Sequence, residues 1–141
     1  MRKPYVVQFE ITGRDSAGLH SFYTGLFGWD LQEPRPGSAY KRTSAFETGL
    51  PGAIGPTRSG PNGGRQEGWD GGTGQVTFYV EVADVRQSLA DAERLGGKII
   101  APPYDVPGRE LTLAFIADPE GHVIGLSQGL QSAMEAMGYT R

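Results

Sequence analysis

Hydrophobic and polar residues alternate in two separate stretches of the chain. In "YVVQFEIT" the apolar residues Val7, Phe9 and Ile11 alternate with Gln8 and Glu10. This pattern predicts a half-buried strand, because successive side chains of a strand point to opposite faces. "QVTFYVEV" predicts a second such strand. One of its faces carries Val76, Phe78, Val80 and Val82, and the other carries Thr77, Tyr79 and Glu81.

A helix is predicted directly after each of these strands. Asp15 or Ser16 can cap the first helix, which has an apolar stripe at helical spacing and ends at Gly28. Asp84 caps the second helix, and a Gly-Gly pair at residues 96–97 ends it. Shorter strand-like runs follow each helix: "WDLQEP", "SAYKRTSAF" and "PGAIGP" after the first, and "KIIAPPYDV", "LTLAFIAD" and "HVIGLSQ" after the second.

The two halves of the chain superpose at a constant shift of 69 residues, which indicates an internal repeat. The shift relates Gln8 to Thr77, Asp15 to Asp84, Gly28 to Gly97 and Gly52 to Gly121. We therefore predict one domain over residues 1–141, built from two βαβββ modules. Module one covers about 5–56, a Gly-rich linker covers 57–74, module two covers about 75–128, and a tail covers 129–141.

Composition narrows the classes of protein that fit. The 141 residues are 38% hydrophobic and 21% charged, which is ordinary for a globular chain. The net charge is -3 and no basic stripe occurs, so we expect neither a nucleic acid nor an anionic membrane as partner. No cysteine is present to form a thiolate site. The first apolar run is too short for a signal peptide or a membrane span, so we expect a cytoplasmic protein.

Three segments resemble the glyoxalase/bleomycin resistance protein/dioxygenase superfamily, also called the vicinal oxygen chelate (VOC) superfamily. They are "FEITGRDSAGLHSFYTGLFGW", "VEVADVRQSLADAERLGGKIIAPP" and "IADPEGHVIGL". The resemblance implies an α+β fold in which two tandem βαβββ modules form a cup-shaped mixed sheet with the helices outside. It also implies a small molecule bound in the cup and a homodimer. In the enzymes of this superfamily a divalent metal lies in the cup, bound by residues from the first and last strand of each module.

The positions that correspond to these metal ligands are degenerate in this chain. The first-strand positions carry Gln8 and Thr77, and the last-strand position of module two carries Gly125. The counterpart in module one lies near residues 54–56, within "GAIGP", which offers no ligand. A lone glutamine does not hold a metal, which needs three or four converging donors. We therefore expect no metal site and no cofactor.

The two histidines do not change this expectation. His122 follows the turn "DPEG" and by alternation faces the helix side of the sheet with Ile124 and Leu126. His20 lies in the first predicted helix, where we expect it at the surface. Isolated histidines near turns are usually solvated, and a metal site needs converging partners.

Polar side chains on the predicted cup face are the candidate ligand-binding residues. They are Gln8, Glu10, Thr77, Tyr79, Glu81 and Ser127, together with Trp69 of the linker as part of a lid or of a subunit contact. Glu10 is the candidate general base, and the alternative is that Glu10 and Glu81 are hydrogen-bonded or reach solvent at the rim. Tyr40, Tyr79 and Tyr104 would line an aromatic pocket or serve as strand-filling residues.

Three functional hypotheses follow. The first is a VOC-type protein with a degenerate metal site that binds a small molecule in its cup. The second is a divergent enzyme of lyase, isomerase or dioxygenase type, either metal-free with Glu10 as base or with a non-standard metal site. The third is a dimeric interaction module whose cup is filled by its own side chains.

Overall fold

The computed structural model describes residues 3–57 and 74–141, which contain seven strands and four helices. The first half contains β1 (Tyr5–Gly13), α1 (Ser16–Phe27), β2 (Lys41–Thr43), α2 (Ala45–Thr48) and β3 (Gly52–Pro56). The second half contains β4 (Val76–Glu81), α3 (Val85–Arg94), β5 (Lys98–Asp105), β6 (Thr112–Ala117), β7 (Val123–Gln128) and α4 (Leu130–Met137). Most of the predicted linker, including Trp69, lies outside the described residues. No helix of the described residues is long and apolar enough to cross a membrane.

All seven strands belong to one open mixed sheet of order β2-β3-β1-β4-β7-β6-β5. The central pair β1 and β4 is antiparallel and joins the two halves of the same chain. Gln8 lies opposite Tyr79, and Glu10 lies opposite Thr77. Strands β3 and β7 flank this pair in parallel orientation. The predicted α+β sheet of two tandem modules is therefore confirmed, and both modules contribute to one cup face within a single chain.

The side-chain caps that were predicted for the two long helices are present. The carboxylate of Asp15 accepts a hydrogen bond from the backbone N–H of Gly18, and that of Asp84 accepts one from Gln87. Such caps satisfy backbone donors that the first turn of a helix leaves without partners. Helix α1 ends at Gly28, whose φ of 70° is a left-handed conformation that favours glycine.

The shift of 69 residues holds from β1 to β4 but not to the last strand of each module. Glu10 lies opposite Ala53 on β3, whereas its repeat equivalent Tyr79 lies opposite Gly125 on β7. Ala53 and Gly125 differ by 72 positions, so module one is three residues shorter before its last strand. The match of Gly52 with Gly121 was wrong: Gly52 lies within β3, and Gly121 lies in a turn with φ of 92°.

Fewer residues of module one form strands than its sequence predicted. Of "WDLQEP" only Gln32 forms a bridge, to Arg42, and of "SAYKRTSAF" only Lys41–Thr43 forms a strand. The residues that follow form the short helix α2, because the side chain of Ser44 accepts a hydrogen bond from Glu47 N. Backbone carbonyls of the C-terminal tail satisfy two more donors at the start of α2.

The core is divided between the two faces of the sheet. On the helix side, Val85 and Leu89 of α3 pack with Val82, Ala114 and Leu126. On the cup face, Tyr79 and Phe115 pack with a larger cluster that includes Leu130 and Met134 of α4. The tail therefore folds over part of its own cup face. Val7 belongs to this cup-face cluster, contrary to the simple alternation, because the ladder between β1 and β4 has a bulge between Val6 and Gln8.

The predicted apolar stripe of α1 is not buried. None of the residues of α1, which is described throughout, is buried, and Phe22, Leu26 and Phe27 are each more than half exposed. Tyr23 and Phe27 stack with each other, and both contact the ring of Trp29. The outer surface of module one thus carries an exposed apolar and aromatic patch, which we call the α1 patch and define as Phe22, Leu26 and Phe27.

Candidate functional site

A cavity of about 710 Å³ opens on the cup face of the sheet. Its size falls within the range of about 300–1,000 Å³ that is usual for small-molecule sites. One wall is polar and comes from β2 and the loop before it. The opposite wall is mostly apolar and comes from β6, α4 and the segments beside them, with Leu111, Leu113, Leu130 and Met137.

Gln8, Glu10 and Tyr79 form the floor of this cavity, and all three are at least 97% buried. They share a face because Gln8 and Glu10 are two positions apart on β1, and Tyr79 lies opposite Gln8 on β4. The hydroxyl of Tyr79 lies 3.1 Å and 3.3 Å from the two carboxylate oxygens of Glu10. A buried carboxylate requires hydrogen-bond donors, and Tyr79 supplies one to Glu10.

The ring of Tyr79 occupies the space above Gly125. A Cβ at position 125 would lie 2.6 Å from the ring, a distance that real Cβ atoms do not tolerate. Tyr79 also packs edge-on against Phe115, with ring centroids 5.4 Å apart. The glycine at position 125 therefore allows the aromatic ring to lie flat on β7 at the centre of the cup.

Three arginines line the same cavity. The guanidinium of Arg42 on β2 donates to Oε1 of Gln8 at 2.8 Å and lies 6.0 Å from the ring centroid of Tyr139. Arg35 and Arg109 are exposed and come from loops at the rim, one before β2 and one between β5 and β6. Among the described lining residues, Glu10 is the one carboxylate that faces these three cations.

Not every predicted site residue lines the cavity. Gln8, Glu10 and Tyr79 do, as do the tyrosines at positions 40 and 104. Thr77 donates its hydroxyl hydrogen bond to Val123 O at 2.7 Å. Ser127 donates to Glu81 at 2.6 Å, and the Glu81 carboxylate accepts the backbone N–H groups of Gly129 and Leu130. Glu81 and Ser127 therefore hold the start of α4, and Trp69 lies outside the described residues.

The histidines lie away from the floor of the cavity. His122 is exposed and contacts the carboxylate of Asp118 through Nδ1 at 3.0 Å. His20 is not at the open surface, as its position on α1 predicted, but is half-buried, with Nε2 2.8 Å from Ile54 O. This hydrogen bond connects α1 to β3, since an imidazole nitrogen can donate to a backbone carbonyl.

Side chains at the superfamily's metal positions do not form a suitable donor set. The Gln8 carbonyl oxygen accepts from Arg42, the Thr77 hydroxyl is bonded to the backbone, and Gly125 is covered by Tyr79. The position on β3 that corresponds to Gly125 is Ala53, which has no donor atom. Within residues 3–57 and 74–141, no group of three or more His, Cys, Asp or Glu side chains converges. These side chains do not fit a divalent metal at the usual place.

Some cavity residues were missed by the sequence reasoning. Arg42 escaped notice because the strand that carries it is three residues long and shows no clear alternation. Leu130 and Met137 belong to the segment 129–141, which was predicted only as a tail, whereas its helix α4 lines the cavity. The signal that could have found Arg42 is its spacing of two residues from Tyr40, which puts both side chains on one face of an extended segment.

Comparison with known proteins identifies the family. The family model described as "Glyoxalase/Bleomycin resistance protein/Dioxygenase superfamily" matches residues 5–126. The chain belongs to this superfamily. Its fold is similar to that of a superfamily member from Vibrio splendidus 12B01, with a TM-score of 0.56, 16% identity, and coverage of 89% of this chain and 99% of the other.

Curated relatives are longer than this chain. "Putative glyoxylase CFP32" of Mycobacterium tuberculosis is 31% identical over 116 residues, which are 81% of this chain and 41% of the relative. "Lactoylglutathione lyase GLX1" of Arabidopsis thaliana is 30% identical over 113 residues, which are 76% of this chain and 38% of the relative. The chain thus spans about two fifths of the length of the relatives it matches.

Proposed function

We propose that this chain binds a small molecule in its cup and does so without the divalent metal of the superfamily. The observation that carries the proposal is the cavity of about 710 Å³, with a buried polar floor and an apolar wall. Sites of this kind combine apolar surface, which supplies affinity, with a few polar groups, which fix the orientation of the ligand. An interaction module with a filled cup would lack this space.

Naphthamide, a neutral bicyclic aromatic compound, is a suitable first probe of the cup. We expect it to shift the backbone amide signals of Leu113 and Leu130 in two-dimensional NMR spectra. Ala133→Phe, which places a ring in the cavity from α4, should abolish these shifts. Ala136→Phe is the matched control, because Ala136 is an exposed residue of the same helix. Shifts confined to residues outside the cup, or cup shifts that persist in Ala133→Phe, would contradict the proposal.

Metal content tests the second half of the proposal. Protein purified without a chelator or a histidine tag should contain no stoichiometric Zn, Ni, Mn or Fe by inductively coupled plasma mass spectrometry. The reason is the donor set: Gln8 is bonded to Arg42, and Ala53 and Gly125 have no donor atoms. About one equivalent of metal per chain, retained after dialysis, would refute this half and favour a non-standard site with Glu10 as a ligand.

A second candidate function is proton abstraction by Glu10. Its carboxylate is 98% buried at the cavity floor, next to the hydroxyl of Tyr79. In such a step the α-proton of a carbonyl compound passes to Glu10 and leaves an enolate, which Arg42 or Tyr79 stabilises. Phenylpyruvate in D₂O is a probe: exchange of its α-protons above the uncatalysed rate, lost in Glu10→Gln, would support the enzyme. Equal rates with and without protein would leave only the binding function.

We further propose that the chain forms a homodimer through the α1 patch. Leu26 is 60% exposed, and exposed apolar patches of this kind mark interaction surfaces. Leu26→Arg should shift the protein to a monomer in analytical ultracentrifugation, because a buried unpaired charge is costly. Leu95→Arg, at an exposed leucine just beyond α3, is the control. An identical mass for wild type and Leu26→Arg would contradict dimerisation through this patch.

A further inference from the structure

We infer that the ligand of the cup is an organic carboxylate with an apolar body. This inference rests on the proposed binding function and names the class of ligand. It starts from the charges of the described lining residues, which are three guanidinium groups and one carboxylate. The whole chain has a net charge of -3, so the excess of positive charge among the described lining residues does not reflect the overall composition.

Arg42 is the cation that lies deepest on the polar wall. Its guanidinium is oriented by the bond to Gln8, itself 97% buried, and by the ring of Tyr139 beneath it. A guanidinium has five N–H donors in a planar fork that matches the two oxygens of a carboxylate. Because it is oriented in advance, Arg42 loses little side-chain entropy when an anion arrives.

Arg35 and Arg109 extend the positive charge to the rim on opposite sides of the opening. Each is exposed and forms no ion pair with the described residues. Clefts lined by one sign of charge raise the local concentration of ligands of opposite charge. These two arginines therefore attract an anion to the opening, while Arg42 holds it beside the floor.

Glu10 does not cancel this preference. Its carboxylate is bonded to the Tyr79 hydroxyl at the floor, so one negative charge is set against three positive charges around the opening. A cationic ligand would have to pass the two rim arginines and lie beside Arg42. The preference for an anion is therefore electrostatic in origin and should weaken as salt screens the charges.

An apolar wall defines the remainder of the ligand. Leu111, Leu113 and Leu130 face the polar wall across the cavity, joined by Val106, Ala133 and Met137. Burial of apolar surface gives roughly 25 cal/mol per Å². A purely polar anion would leave this wall without a partner, whereas a carboxylate on an aromatic or branched apolar body satisfies both walls.

Naphthoate and naphthamide form a matched pair for the test, because they differ in charge but hardly in shape. Isothermal titration calorimetry should give a Kd for naphthoate about tenfold lower than for naphthamide at low salt. High salt should reduce this ratio. The ratio should also fall in Arg35→Gln, Arg109→Gln and Arg42→Gln, while Arg94→Gln, which removes an exposed cation of α3 outside the cavity, should leave it unchanged.

The outcomes separate the two proposals. If naphthamide binds the cup as tightly as naphthoate, the carboxylate preference is refuted and the binding function stands. If naphthoate is preferred but the ratio is the same in all three arginine variants, the assignment to these arginines is refuted. If neither compound shifts the cup amides, the binding function fails and the inference fails with it. Arg35 and Arg109 are exposed, so their variants should fold, and circular dichroism checks this for Arg42→Gln.

Discussion

At the scale of single residues, Tyr79 connects the two modules through one side chain. Its ring lies on Gly125 and against Phe115 of module two, and its hydroxyl bonds to Glu10 of module one. Glycine is unusual inside a strand, since it weakens the strand and packs nothing itself. Here the missing Cβ of Gly125 makes room for the tyrosine ring, so glycine at this position is a packing requirement.

Gly125→Ala should therefore destabilise the fold by about 1–3 kcal/mol, because the added methyl overpacks the space below the ring. Urea denaturation gives the free energy of unfolding. In a Tyr79→Leu background the same substitution should cost much less, since the ring it would strike has been removed. An equal cost in both backgrounds would show that Gly125 is needed for its backbone and not for Tyr79.

The hydrogen bonds of Asp118 allow a prediction of how the free energy of unfolding changes at acid pH. The backbone N–H of His122 and other donors of the turn hold the pKa of Asp118 below its ordinary value. A carboxyl whose pKa is lower in the folded state stabilises the fold above its unfolded pKa of about 3.9 and loses that contribution as pH falls further. Asp118→Asn should therefore flatten the loss of stability below about pH 4 in acid titrations followed by circular dichroism.

Asp91→Asn on α3 removes one negative charge from another part of the surface and serves as the control. If both variants changed the acid profile equally, the effect would come from net charge and not from the hydrogen bonds of the turn. The turn is exposed, so the change should be small.

The floor of the cavity was predictable from the sequence, but much of the rest was not. Alternation along β1 and β4 was enough to bring Gln8, Glu10 and Tyr79 to one face. The same alternation also placed Glu81 on the cup face. Nothing in the sequence indicated that the Glu81 carboxylate accepts a hydrogen bond at the start of α4 instead of lining the cavity. The partner of a polar side chain depends on strands that are distant in sequence, and these come together only in the fold.

At the scale of elements, helix α4 depends on a carboxylate from another strand. Gly129 precedes α4 and offers no side-chain cap, so Glu81 of β4 accepts the N–H groups of Gly129 and Leu130 instead. A negative charge at this end also interacts favourably with the helix dipole. Since α4 forms part of the apolar wall of the cavity, Glu81 contributes to the shape of the site without lining it.

Glu81→Ala should cost about 1–3 kcal/mol and selectively increase hydrogen exchange of the α4 amides. The physical reason is that two backbone donors and the Ser127 hydroxyl lose their acceptor together. Glu93→Ala on the exposed surface of α3 is the control and should leave exchange in α4 unchanged. Unchanged exchange in α4 after Glu81→Ala would contradict this role.

Elements with strong local signals were predicted well. The caps at Asp15 and Asp84 set the starts of α1 and α3 as expected. Helix α2 was missed because four residues are too few to show helical periodicity, and only Ser44 and Gly49 mark its ends. The place of α4 on the cup face could not be predicted, since an amphipathic tail has several apolar surfaces on which it can pack.

At the scale of the whole molecule, the two modules share one ladder and one cavity. β1 and β4 pair along most of their length at the centre of the sheet, and the cavity takes residues from both halves. Modules connected only by a linker would unfold independently. Modules that share a central strand pair should unfold together, because loss of either one exposes the ladder and the buried floor of the other.

Trp29 allows a direct test of this coupling, because it is one of only two tryptophans and reports on module one. In a Trp69→Phe background, Leu89→Ala removes buried volume from the core of module two beneath α3, at a cost of about 2–5 kcal/mol. We expect the urea midpoint of Trp29 fluorescence to fall by the same amount as the midpoint of far-ultraviolet circular dichroism. A Trp29 transition that stayed in place while circular dichroism became biphasic would mean that the modules unfold separately, despite the central ladder.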